Sequence, residues 1–190
     1  AICEQTQDVE QAKGLVERKV VRIITPGTVI ESSMLDDKTN NYLLSLLRDD
    51  NAYGLSGVDV STGEFFISEI INGDIQDKVM NELARIQPRE ILVNDSLQMD
   101  SDFLNLIKSR FSSYITPWQE WAFQQSNAYR VLLEHFKVQS LEPFGCDNMP
   151  YGICAAGALL TYLSETQKNA LRHINYIKVL TEQSYHVLDE

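Results

Sequence analysis

The side chains of this 190-residue chain that could do chemistry are first its carboxylates. Asp59 stands in the β-branched run Tyr53 to Val60, while Glu90, Asp95, Asp100 and Asp102 read as loop and capping residues. Two or three converging carboxylates can hold divalent ions beside a scissile phosphate, which would be metal-dependent nuclease chemistry. Asp59 admits a second reading, in which it receives backbone N–H groups from Ser61 and Thr62 at a turn. The turn reading is preferred, because Asp59 falls on the second candidate strand and no third carboxylate is strongly placed.

Other chemistries have weaker footing. Cys3, Cys146 and Cys154 form no CxxC pair, which suits small buried thiols in a reducing compartment. His135, His173 and His186 form no cluster with zinc-ligand spacing. No glycine is followed by lysine, so GxxxxGK[ST] is absent, as is GxSxG. Ser61-Thr62-Gly63 resembles a phosphate hairpin, but Thr-Gly is a common strand connector. Trp118 and Trp121, beside Tyr114 and Phe123, fit core packing first and a stacking or contact platform second.

Charge narrows the partners. Acids outnumber Lys and Arg by 27 to 16, for a net charge of −11, and residues 29–163 hold 19 acids against nine bases. Nearly all the excess belongs to that central stretch, which argues against its wrapping a polyanion and predicts weak binding of duplex DNA. No apolar run approaches the roughly 18 residues of a membrane span. Ala1-Ile2-Cys3 opens directly on apolar residues and Tyr185 to Leu188 reads as strand alternation that stops at Glu190, which suggests a piece of a longer chain.

These residues need elements to position them. Arg18 to Ile24 reads as a strand stopped by Thr25-Pro26-Gly27-Thr28, and polar Glu31 to Lys38 as a linker, giving a boundary near 28. Asn41 to Arg48, Tyr53 to Val60 and Glu64 to Ile71 follow as an antiparallel meander; the first also fits a helical period, with strand favoured by the flanking turn signals. The pattern then turns to alternating helix and strand. Val79, Leu83 and Ile86 make a helical stripe ending before Pro88, and Ile91-Leu92-Val93 a buried strand. Ser101 can cap a helix with Phe103, Leu104, Ile107 and Phe111 on one face. Tyr114-Ile115-Thr116 is a strand, Phe123 to Phe136 a helix and Gln139 to Met149 a loop. Pro150 opens a long helix, Tyr151 to Gln167, whose small residues suggest close packing on a sheet. The expected fold class is α/β, a ribonuclease H-like mixed sheet flanked by helices.

Four blocks carry a family resemblance: AICEQ at Ala1 to Gln5, VERKVVRIITPGT at Val16 to Thr28, DVSTGEF at Asp59 to Phe65, and GICAAGALLTYLSETQ at Gly152 to Gln167. In order and over most of the chain, they resemble the MutS family of bacterial DNA mismatch-repair proteins. The resemblance implies the end of a mismatch-recognition domain at 1–28, a ribonuclease H-like connector domain without nuclease activity at 29–163, and the start of a core domain at 164–190. It implies a cytoplasmic protein, homo-oligomeric at full length, that binds mismatched duplex DNA and uses ATP and magnesium through regions not in this sequence. No catalytic, cofactor or metal residue carries over. It also implies that the connector relays conformational change and docks MutL, on the helix Phe123 to Phe136. Tyr129, Arg130 and Glu134 are the candidate docking residues, since Val131 and Leu132 are needed by the core; a solvated face without a partner is the competing reading.

Overall fold

Residues 42–70 form the meander that the turn signals predict. The computed structural model describes residues 2–5, 18–22, 25–28, 41–50, 52–167 and 170–181. In it β3 (Tyr42–Asp49), β4 (Ala52–Asp59) and β5 (Glu64–Ile70) run antiparallel, with Ser45 opposite Ser56 and Ser56 opposite Ile67. Asn41 to Arg48 is therefore strand. Leu43, Leu44, Leu46 and Leu47 are all buried, because both faces of the sheet are covered and a doubly covered strand need not alternate.

The helix and strand alternation follows. α1 (Ile75–Ile86) is capped by the Asp74 carboxylate on the Asp77 N–H, buries the stripe Val79, Leu83 and Ile86, and ends at Gln87 in a left-handed conformation. β6 (Glu90–Val93) joins β3 in parallel, and β7 (Tyr114–Pro117) joins β6 in parallel. Between them lie α2 (Asp95–Met99) and α3 (Ser101–Arg110). α4 (Gln125–Phe136) and α5 (Pro150–Thr166) complete the helices, and β8 (Lys178–Leu180) lies parallel to β5. The six strands run in the order β7-β6-β3-β4-β5-β8, a mixed sheet.

Two cores sandwich this sheet. Leu44, Leu46, Leu55 and Phe66 meet α1 and α3 through Val79, Leu83 and Ile107. On the other face Leu43, Val58, Phe65 and Leu92 meet α4 and α5 through Leu132, Ile153 and Leu159. The small residues of α5 do bring it close: a Cβ at Gly152 would lie 2.5 Å from Ile67 Cγ2, and one at Gly157 2.3 Å from Ala128 Cα of α4.

Several expectations need revision. Asp100, not Ser101, caps α3, accepting the Phe103 N–H, and Ser101 is the first helical residue. α4 begins at Gln125, since Glu120–Phe123 is a separate 3-10 turn and Gln124 is extended. α2 and β8 are elements that the sequence pattern does not show, and β8 adds a strand to the sheet beside β5. Ile2–Gln5 forms β1, paired antiparallel with β2 (Arg18–Arg22), where the sequence suggested only the second strand. The linker Glu31 to Lys38 and the alternation Tyr185 to Leu188 lie outside the described residues.

Candidate functional site

The carboxylate geometry decides first. Asp59 ends β4 and is 3% exposed, and its Oδ1 accepts the Ser61 N–H at 2.9 Å, the Ser61 hydroxyl at 2.5 Å and the Thr62 N–H at 3.4 Å. This is the turn role. The Gly63 N–H closes the same hairpin on the Asp59 carbonyl at 2.8 Å, with Gly63 at φ 79°. A side chain at Gly63 would also run into the His173 carbonyl, 2.2 Å from its Cβ, so Ser61-Thr62-Gly63 is a packed connector. Among the described residues, no group of three or more His, Cys, Asp and Glu is placed to hold a metal ion.

Ligands of open α/β sheets usually bind outside the carboxyl ends of the strands. A groove of 480 Å³ lies there, at the ends of β3 and β6, lined by Asp49, Asp50, Asn94 and Glu120 among others. Its polar groups are largely committed to the protein. Asn94 accepts the Arg48 N–H and donates to the Arg48 carbonyl, both at 3.1 Å, and caps α2 through the Leu97 N–H. Glu120 accepts the Asp95 N–H at 2.9 Å, Asp49 accepts the Asp50 N–H at 2.6 Å, and Arg48 pairs with Asp100.

Glu90 corrects the sequence reading. It is neither loop nor cap but the first residue of β6, 1% exposed, accepting the Gly27 N–H at 3.0 Å and the hydroxyls of Thr116 and Tyr162 at 2.8 Å each. Burial first, and the Glu90 charge with it, push the Tyr162 hydroxyl well above the usual tyrosine range, despite a side-chain hydrogen bond from Thr25.

On α4 the three docking candidates divide. Arg130 and Glu134 are exposed and paired at 2.9 Å, one helical turn apart, and Arg130 also donates to Asn127 Oδ1 at 2.8 Å. Tyr129 departs from the expected exposure: it is half-buried against the core, and its hydroxyl donates to Asp147 Oδ1 at 3.2 Å, tying α4 to the following loop. Val131 and Leu132 face inward as expected, Leu132 completely. The tryptophans divide too. Trp118 packs edge-on against Tyr162, ring centroids 4.8 Å apart, whereas Trp121 is 44% exposed and donates to Gln119 Oε1. Cys146 and Cys154 are buried, and burial above all pushes each thiol up to about 11.

Comparison with known sequences names this architecture. A family model described as MutS domain II matches residues 41–175, and one described as MutS domain I matches residues 1–33. The chain belongs to the MutS family. The DNA mismatch repair protein MutS of Alkaliphilus metalliredigens is 44% identical over 190 residues, and those of Halothermothrix orenii and Acetivibrio thermocellus are 46% and 42% identical over 189. Each comparison takes in all of this chain, which spans about a fifth of the length of those relatives. On this division Gly27 belongs to the MutS domain I match and its acceptor Glu90 to the domain II match. Among the described residues, no helix is long and apolar enough to cross a membrane.

Proposed function

We propose that this chain is the connector portion of a MutS mismatch-repair protein, with the end of the mismatch-recognition domain before it, and that it relays conformational change and docks MutL without an active site of its own. The carrying observation is the match of MutS domain II to residues 41–175, on a sheet whose Asp59 is taken up by its own hairpin turn. The connector reading includes a ribonuclease H-like fold. Its support is an antiparallel meander, β3 to β5, extended in parallel by β6 and β7 on the far side of β3. Mismatched DNA, ATP with magnesium, cytoplasmic location and homo-oligomerisation belong to the proposal for the whole protein.

For docking, α4 offers Arg130 and Glu134 outward while its opposite face is locked onto α5, so the helix presents polar groups on a fixed frame. The test is crosslinking of the 190-residue chain to purified MutL of the same organism at low salt. Capture that weakens in an Arg130→Ala/Glu134→Ala variant supports docking on this face. Absence of any capture removes the docking half of the proposal.

A further inference from the structure

We propose that Glu90 is the pin of the joint between the two MutS units, holding the turn that leaves the first unit against the sheet of the second. The proposal rests on the two-unit division and not on MutL docking. Glu90 sits in β6 opposite Leu43, on the face covered by α5, where an apolar side chain would close the second unit's own core. A carboxylate there must be fully hydrogen-bonded, since no cation pairs with it among the described residues and an uncompensated buried charge is very costly. Three donors meet that need, and one of them, the Gly27 N–H, comes from the first unit. A second tie runs parallel to it, because Thr25 hydrogen-bonds the Tyr162 hydroxyl, which itself donates to Glu90.

The turn also sits at a distance that admits no side chain at its centre. A Cβ on Gly27 would lie 2.9 Å from Leu43 Cβ and 3.0 Å from Glu90 Cβ. Residues 25–28 are thereby fixed through two polar links and a glycine-only contact, all converging on one buried carboxylate.

The test is hydrogen–deuterium exchange of the 190-residue chain, comparing the peptide covering 25–28 with peptides from β4 and β5. Glu90→Leu is expected to speed exchange at 25–28 by about ten-fold or more while β4 and β5 stay within about two-fold, because a local opening need not reach the core. Glu90→Gln is expected to keep most of the protection. A carboxamide can turn its oxygen to Gly27 and its NH2 to the two hydroxyls, which can accept as well as donate. Gly27→Ala, with Glu90 intact, should reproduce the Glu90→Leu pattern, and it decides the matter if Glu90→Leu does not fold. Unchanged protection at 25–28 in these two variants overturns the pin, as does equal loss at β4 and β5, which would make Glu90 a plain support of the second unit. Coincident exchange of both segments in the unsubstituted chain removes the two-unit division and the proposal with it.

Discussion

Gly54 offers the sharpest test of how α5 is seated on the sheet. An alanine Cβ at this position would lie 1.9 Å from the Tyr151 carbonyl oxygen and 2.3 Å from its carbon. Ordinary contact begins near 3.5 Å, so strand and helix must part by about 1.5 Å. Neither side can yield cheaply. β4 is hydrogen-bonded to β3 and β5 along its length, and the Tyr151 and Gly152 N–H groups are held by Glu69 Oε2 at 2.8 and 3.1 Å. Overpacking of this kind costs about 2 kcal/mol, and loss of the Glu69 cap adds about 1. Gly54→Ala is therefore expected to lose about 3 kcal/mol, lowering the melting temperature by about 9 °C for a domain of this size. Denaturant unfolding followed by circular dichroism gives the free energy and the slope together. Gly145→Ala is the control: its φ is 75° but nothing lies within 4 Å of the added Cβ, so left-handed strain of about 1 kcal/mol is the whole cost. If Gly54→Ala costs no more than Gly145→Ala at equal slope, the tight seating of α5 is wrong.

Other outcomes follow from the same structure. Burial raises the Glu69 carboxyl, outweighing the two N–H groups it accepts, so its charged form is disfavoured in the fold; the wild type should lose stability relative to Glu69→Gln as pH rises from about 4 towards 7, and an opposite trend in unfolding free energies would refute this. With thiols near 11, Cys146 and Cys154 should be alkylated about a hundred-fold more slowly than an ordinary cysteine at pH 8, measured peptide by peptide by mass spectrometry; labelling at the ordinary rate would show them accessible. Leu132→Ala should cost about 3 kcal/mol in denaturant unfolding by opening a cavity under α4, whereas Glu134→Ala should cost about 0.5 kcal/mol or less, because its pair with Arg130 is solvent-exposed. Equal losses would mean that α4 is seated differently.

What was legible in the sequence was local. The stripe Val79, Leu83 and Ile86 declares α1 because one helix face is buried and the other is not, and Pro150 declares the start of α5 because proline needs no N–H partner there. Four leucines between Leu43 and Leu47 fit either period, and only coverage of both sheet faces makes them strand. Asp100 and Ser101 are adjacent cap-formers, so sequence alone misassigns the cap by one residue. α2 and β8 are too short to show a period, and β8 exists only through its pairing with β5, more than a hundred residues away. Tyr129 looks solvent-facing by helix position, yet Asp147 draws it in. Glu90 is illegible for the same reason: it reads as a loop or capping residue, and its donors Gly27 and Tyr162 stand 63 and 72 positions away.

The two ends of the sheet use their polar groups in opposite ways. At the carboxyl ends of β3 and β6, where such folds place ligands, Asn94 binds Arg48 and caps α2, Glu120 caps the same helix and Asp100 both caps α3 and pairs with Arg48. These groups fasten loops to one another. A nuclease would need converging carboxylates with their lone pairs open to metal, and Asp59, the best candidate from sequence, stands at the other end of β3, opposite Tyr42, with its Oδ1 taken by three donors of its own hairpin. At the opposite end of β6 the Glu90 carboxylate is buried with no cation paired to it among the described residues, and the 25–28 turn supplies one of its three donors. On the proposed reading, this buried carboxylate, which draws donors from both sides of the division between the two MutS matches, is what holds the 25–28 turn against the sheet.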